Sequence, residues 1–346
     1  MRRFIMMLIL LLFLAIPVSA VEFTAPEVPD SGAELMPEET SSFSKGLESL
    51  LRKAILQIRP DLRLASKVSL SVMTAVMLVS LLQSLSGPTK QVTNLAGAAA
   101  VGSVLLLRSN TLIRLGAETV RHISDYGKLL LPVMTASLAA QGGVTTSTAL
   151  YTGTAVFDTI LSNLISELLV PLVYLFLALA VGCSALEEEI LKKMRDFVKW
   201  LMNWSLKTVL TVFTTYMSIT GVVSGTTDAA ALKAAKMTIS TVVPVVGGIL
   251  SDASESVLVS AGLMKNAAGI YGILAVLAVF LEPFLRIGSH YLLLKLTAAV
   301  SSIFGSKKMT DLIGDFSTAM GLLLAMTGAA CLLLLISTVC FMKGVG

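Results

Sequence analysis

The sequence predicts an all-α, polytopic membrane helix bundle of about seven spans, with proline-broken helices and an internal, inverted repeat. Three observations predict it. Hydrophobic residues make up 55% of the 346 residues and charged residues only 14%, where a soluble domain carries about 25% charged residues. Mean hydropathy is +0.84, and apolar runs recur at the length of about 20 residues that a bilayer-crossing helix needs. The last four prolines fall in two equally spaced pairs.

The elements follow in order. Residues 1–20 read as an export signal: Arg2 and Arg3 precede the apolar run Phe4 to Ile16, and Pro17-Val18-Ser19-Ala20 sets small residues before a cut after Ala20. An uncleaved anchor is the alternative, and both put residue 21 outside. Residues 21–42 space Pro26, Pro29 and Pro37 among six acids and read as a disordered acidic linker. Residues 43–60 form an amphipathic helix: Phe43, Leu47, Leu50, Leu51, Ala54, Ile55 and Ile58 share one side, and Pro60 stops it. It is expected at the membrane interface or as a cap over the bundle.

Residues 61–128 hold the first span, 68–86, and a connecting region. Within it, 91–107 is apolar and rich in small residues, as an eighth span or a re-entrant piece would be. Six further spans are expected near 129–150, 160–183, 200–224, 237–262, 267–300 and 313–342. The segment 267–300 is too long for one straight crossing, so a broken helix or a span plus a surface helix is expected there.

Pro132 and Pro171 lie 39 residues apart, as do Pro244 and Pro283, and the pairs are offset by 112. Lys192-Lys193-Met194-Arg195-Asp196 returns as Lys307-Lys308-Met309-Thr310-Asp311 at an offset of 115. This defines repeat unit one, 129–225, and repeat unit two, 226–346, with helix breaks at the four prolines. Three spans per unit would invert the second copy, a plan that transporters use. Basic residues then divide almost evenly between the two sides.

The most polar intramembrane stretches occupy matching places in the two units. In the first, Gln141, Gly142 and Gly143 lead into Val144-Thr145-Thr146-Ser147-Thr148; in the second, Asp252 and Glu255 stand three residues apart, on one helix face. Intramembrane acids face a cavity, a partner or a pore, so these five residues mark a candidate path or assembly surface. Packing against partners, or an aqueous loop around Asp252 and Glu255, is the structural alternative. Glu282 and Arg286 are expected to pair along one helix face, as are Glu188 with Lys192 and Glu189 with Lys193. Trp200 and Trp204 mark a membrane interface.

Other chemistry finds little footing. Cys183, Cys331 and Cys340 lie in apolar segments without metal-ligand spacing, and the two histidines, His122 and His290, are far apart. No phosphate loop, zinc motif or nucleophile elbow occurs, so no enzyme, cofactor or metal is expected. A net charge of +4 without dense basic runs points away from nucleic acid and toward the bilayer as first partner.

Taken together, the export signal, the acidic linker, Leu47-Glu48-Ser49-Leu50-Leu51, Leu131-Pro132-Val133-Met134-Thr135-Ala136, Ser147-Thr148-Ala149, Leu169-Val170-Pro171-Leu172 and the two Lys-Lys-Met turns resemble the stage III sporulation protein AE family. The resemblance implies a multipass protein of the mother-cell membrane around the forespore. It implies a non-enzymatic, permease-like subunit of a secretion-like sporulation channel. The implied partners are other membrane subunits, ring-forming proteins and a cytoplasmic ATPase; a homo-oligomer is a further expectation. A stand-alone secondary transporter and a membrane scaffold without a conduit are the alternatives.

Overall fold

A computed structural model describes residues 26–38, 40, 42–85, 90–186, 188–242, 247–304 and 307–343; for 90, 91, 94 and 221–264 the backbone alone is described. The described chain is helical, with no strand. A short turn of helix, α1 (Asp30–Ala33), precedes α2 (Phe43–Gln57) and α3 (Arg59–Leu85). Long helices follow: α4 (Lys90–Ala140), α5 (Val144–Asn163), a π-helical segment (Leu164–Leu169), α6 (Val170–Leu186), α7 (Glu189–Val242), α8 (Gly247–Phe304) and α9 (Lys307–Lys343).

The long helices run up and down against one another. Gly97 of α4 meets Val79 of α3, and Gly102 meets Val181 of α6. Further along α4, Gly116 meets Leu323 of α9 and Ile287 of α8, Gly127 meets Leu334, and Leu130 meets Gly272. Hence α4 and α9 run parallel, and both run antiparallel to α8. Ser184 Oγ donates to the Lys308 carbonyl at 3.4 Å, so the α3–α4, α6–α7 and α8–α9 connections share one end of the bundle. The core is one apolar cluster to which α3 through α9 contribute, from Val72 and Val76 to Leu334 and Phe341.

Five helical segments among the described residues are long and apolar enough to cross a membrane: Arg59–Leu85, Leu95–Ala140, Val144–Leu186, Lys265–Ile303 and Lys307–Lys343. About seven were expected; no segment of the expected span 200–224 is among the five, and two other expected spans are divided between helices. The expected span 129–150 is divided by a turn at Gln141–Gly143. Gly142 has φ 91° there. Its N–H reaches the Ala139 carbonyl at 2.9 Å, and the Gly143 N–H reaches the Leu138 carbonyl at 3.1 Å. These two bonds form a Schellman cap, which a glycine in the left-handed region closes at no steric cost. The first half of that span therefore ends α4 and the second begins α5. The expected span 237–262 is likewise shared between the end of α7 and the start of α8.

The prolines do not interrupt the helices as expected. Pro132 lies inside α4 and Pro283 inside α8, and both helices continue. Each proline removes one backbone hydrogen bond, a loss that packed neighbours absorb in a bundle. Pro171 is the second residue of α6, separated from the π-helical segment by Val170 alone. Its ring crowds the Glu167 carbonyl four residues back, and the widened turn relieves the crowding. Pro244 lies outside the described residues. The segment 267–300, expected to break, belongs wholly to α8, and the apolar 91–107 is the start of α4, not a separate piece.

The inverted relation between the units does not hold either. Arg195 of α7 bonds Asp315 of α9. Farther along, Tyr216 of α7 bonds the Ala149 carbonyl of α5, and Thr154 of α5 bonds Ser337 of α9. So α7 and α9 are parallel, and both Lys-Lys-Met turns lie at the same end. Among the segments long and apolar enough to cross, the stretch expected as unit one holds Val144–Leu186 and that expected as unit two holds Lys265–Ile303 and Lys307–Lys343.

The amphipathic helix ends before Pro60 as expected, at Gln57, and α3 starts at Arg59. It docks on α8 through Gly46, Leu50 and Ala54, which meet Leu274 and Ala278. Phe43, Leu51 and Ile55 stay exposed. The linker is not free where it is described. Leu35 is buried in the same small cluster, and Lys53 Nζ donates to the Met36 carbonyl at 2.9 Å.

Candidate functional site

Helix α4 carries the most unusual surface. One side is fully buried: Leu112, Ile113, Val120, Ile123, Tyr126 and Leu130 pack in the core. The other side presents Asn110, Arg114, Glu118, Arg121, Asp125 and Lys128, all exposed. From Arg114 the charges alternate in sign at steps of three and four residues, the spacing of one helix face. At 1.5 Å per residue, Asn110 to Lys128 covers about 27 Å, against about 30 Å for the hydrocarbon core of a bilayer. The Gly116–Leu323 and Gly127–Leu334 contacts set this seam level with the apolar core of α9.

Two clefts open on the seam. A cleft of about 440 Å³ between α4, α3 and α8 is lined by Asp61, Arg108, Arg114, Glu118 and Arg286. A second, of about 210 Å³, is lined by Arg114, Glu118, Arg121, Ser162 and Ser166. Arg114 and Glu118 belong to both.

Behind the first cleft, polar groups tie three helices together. Arg286 Nε lies 2.9 Å from Asp61 Oδ2, an ion pair outside hydrogen-bond geometry. The expected partner of Arg286, Glu282, forms no ion pair among the described residues. Arg108 Nε donates to His290 Nε2 at 3.2 Å, and His290 Nδ1 lies 3.1 Å from the Arg286 carbonyl. The two contacts together fit a neutral imidazole with its proton on Nδ1. Deeper, the buried Asp158 accepts a hydrogen bond from Ser124 Oγ at 2.6 Å.

A third cleft, of about 290 Å³, lies at the end where the repeated turns meet and is lined by Lys192, Arg195, Lys307, Lys308, Asp311 and Asp315. Arg195 donates to Asp315 at 2.8 Å and to Asp196 at 2.9 Å. Burial pulls the Arg195 guanidinium down, but the two carboxylates more than offset this, so its pKa lies above the ordinary value. The expected pairs of Glu188 with Lys192 and Glu189 with Lys193 do not form among the described residues. Phe197, Trp200 and Trp204 stack along the exposed side of α7 with centroids 5.9 and 6.0 Å apart.

The residues singled out from sequence fare unevenly. Gln141, Gly142 and Gly143 form the capped turn joining α4 to α5, away from the seam. Asp252 and Glu255 lie in the part of α8 whose side chains are outside the described residues, and the signal segment with Ala20 lies outside the described residues altogether. The seam was missed because Arg108, Arg114, Arg121 and Lys128 read as a connecting region between spans. Their three-and-four spacing was the available signal. No three His, Cys, Asp or Glu side chains converge as a metal site among the described residues.

Comparison with known proteins bears on what such a bundle is. Residues 33–344 match the family described as stage III sporulation protein AE. A curated relative, stage III sporulation protein AE of Bacillus subtilis (strain 168), is 24% identical over 203 residues, covering 58% of this chain and 51% of the relative. The matched part thus spans about half the relative's length. No solved structure matches. With nearly the whole helical chain inside the family match, this sporulation membrane protein belongs to the stage III sporulation protein AE family.

Proposed function

We propose that the chain is a non-enzymatic, permease-like core subunit of a channel complex joining mother cell and forespore, seated in the mother-cell membrane around the forespore. The observation that carries this reading is the charged seam of α4. Charges at bilayer depth are costly against lipid and face water, a partner or a pore. A passive anchor has no use for about 27 Å of them in register. Ring-forming and membrane partners, or further copies of the chain, supply the missing cover.

The connections support an orientation. With the signal leaving residue 21 outside, α3 runs inward, and the end bearing Lys192, Lys193, Lys307 and Lys308 is cytoplasmic, as the positive-inside rule favours. A cytoplasmic ATPase would meet the complex at that end.

The test is to neutralise the seam with Arg114→Gln, Glu118→Gln, Arg121→Gln, Asp125→Asn and Lys128→Gln in the sporulating host. The reading expects normal membrane insertion and abundance, loss of late forespore gene expression, and loss of co-purifying membrane subunits. Unchanged sporulation would overturn it. A purified chain that binds a solute with no partner attached would favour a stand-alone transporter.

A further inference from the structure

We propose that the charged seam of α4 docks a membrane helix of a different protein, one that bears acidic residues at steps of seven positions. The inference rests on the reading that the assembled complex covers the seam, and it names the cover.

The seam is a narrow stripe. Arg114, Glu118, Arg121, Asp125 and Lys128 fall within about 80° of one another around the helix axis, and all five are exposed. Arg114, Glu118 and Arg121 form no ion pair with any described residue. Lys128 and Asp125 lie 2.8 Å apart, yet their side chains stay 67% and 55% exposed. The stripe belongs to a segment, Leu95–Ala140, that is long and apolar enough to cross a membrane. A partner that runs beside such a segment is a helix, because a helix satisfies its own backbone in lipid.

A second copy does not fit this face. Copies in one membrane share an orientation, so rotation about the membrane normal sets each residue level with its own counterpart. An α4–α4 contact would then bring Arg114 to Arg114, Glu118 to Glu118 and Arg121 to Arg121, and like charges set together across an interface are costly. The register that pairs Arg114 with Asp125 and Glu118 with Arg121 is antiparallel, and it needs one copy upside down. No other helix of the chain supplies the complement either. The partner needs acids level with Arg114, Arg121 and Lys128, which stand seven residues apart. Nowhere in the 346 residues do three Asp or Glu residues stand at i, i+7 and i+14. Glu189 and Asp196 of α7 make one such step, but Asn203 takes the third place. A foreign helix with three acids at this step, and bases level with Glu118 and Asp125, meets every charge of the seam. Such pairs attract more strongly away from bulk water than on a wet surface.

The experiment uses the full chain in neutral detergent and three dye-labelled synthetic Leu-Ala helices, read by fluorescence anisotropy. The first helix carries Glu at i, i+7 and i+14 and Lys at i+4 and i+11. The second exchanges Glu and Lys, and the third keeps the composition of the first with its charges spread around the axis. The first is expected to bind at least about tenfold tighter than either of the others. The sign-reversed chain, Arg114→Glu/Glu118→Lys/Arg121→Glu/Asp125→Lys/Lys128→Glu, should prefer the second helix. Arg121→Glu alone, one exposed change, should shrink the wild-type preference and keeps the test open if the reversed chain does not fold. Equal binding of the first and third helices by the wild type, or an unchanged preference in Arg121→Glu, overturns the docking site. In a Cys183→Ala/Cys331→Ala/Cys340→Ala background, Arg121→Cys should form no disulfide between copies in the membrane. An efficient disulfide would overturn the foreign helix in favour of a second copy. If the wild type shows no preference while seam neutralisation still abolishes co-purification of membrane subunits, this inference fails and the subunit reading stands.

Discussion

The Arg195–Asp315 pair offers a quantitative test of how the two repeat units meet. The side chains are 19% and 17% exposed, and Nη1 lies 2.8 Å from Oδ2. Removing one partner of a buried pair costs about 3–5 kcal/mol because the other charge is stranded; residual exposure places this pair at the low end. The two deletions should differ. Arg195→Met strands the Asp315 carboxylate and should cost about 3 kcal/mol. Asp315→Asn leaves Arg195 bonded to Asp196, which is 65% exposed, and should cost about 1–2 kcal/mol. The double variant should fall short of the summed losses by about 1 kcal/mol or more. The assay is a double-mutant cycle on the purified chain in detergent, read by denaturant-induced loss of helicity. Additivity within about 0.5 kcal/mol, the behaviour of sites that do not touch, would refute the parallel packing of α7 and α9.

Three further outcomes follow from the packing. A side chain at Gly153 would overlap the Tyr216 ring, whose hydroxyl donates to the Ala149 carbonyl at 3.0 Å; Gly153→Leu should cost about 2–4 kcal/mol in the same unfolding assay, and adding Tyr216→Ala should recover part of it. Gly142→Val forces a β-branched residue to φ 91° and should destabilise by at least about 1–2 kcal/mol, while Gly142→Asn should be milder; equal effects would contradict the capped turn. Ser124→Ala takes the hydroxyl from the buried Asp158 carboxylate and should cost about 1–3 kcal/mol. Its combination with Asp158→Leu should be closer to wild type than Ser124→Ala alone, a comparison that thermal shift in detergent decides.

Much of this architecture was written in local sequence. Apolar runs marked the bundle, Pro60 marked the end of the amphipathic helix, and the Lys-Lys-Met turns marked the starts of α7 and α9. What misled was reading each apolar run as one crossing. Gln141-Gly142-Gly143 sits in the middle of such a run, yet a single left-handed glycine reverses the chain there. Pro132 and Pro283 look like breaks but are carried inside α4 and α8 by neighbours distant in sequence. Those two misreadings gave three spans per unit and hence an inversion. The seam was hidden for a related reason: charges at 114, 118, 121, 125 and 128 looked like a loop until Leu112, Ile113, Val120 and Ile123 proved to be the buried side of the same helix. The meeting of Arg195 with Asp315, 120 residues on, could not be read from either segment alone.

The central claim is that the two units keep the same orientation and present both basic turns on one side of the membrane. Topology reporters fused after Leu186 and after Phe304 test it most directly. The account predicts the same cytoplasmic signal from both positions, and an external signal from a fusion after Lys343. Opposite signals at Leu186 and Phe304 would contradict it and restore the inverted arrangement.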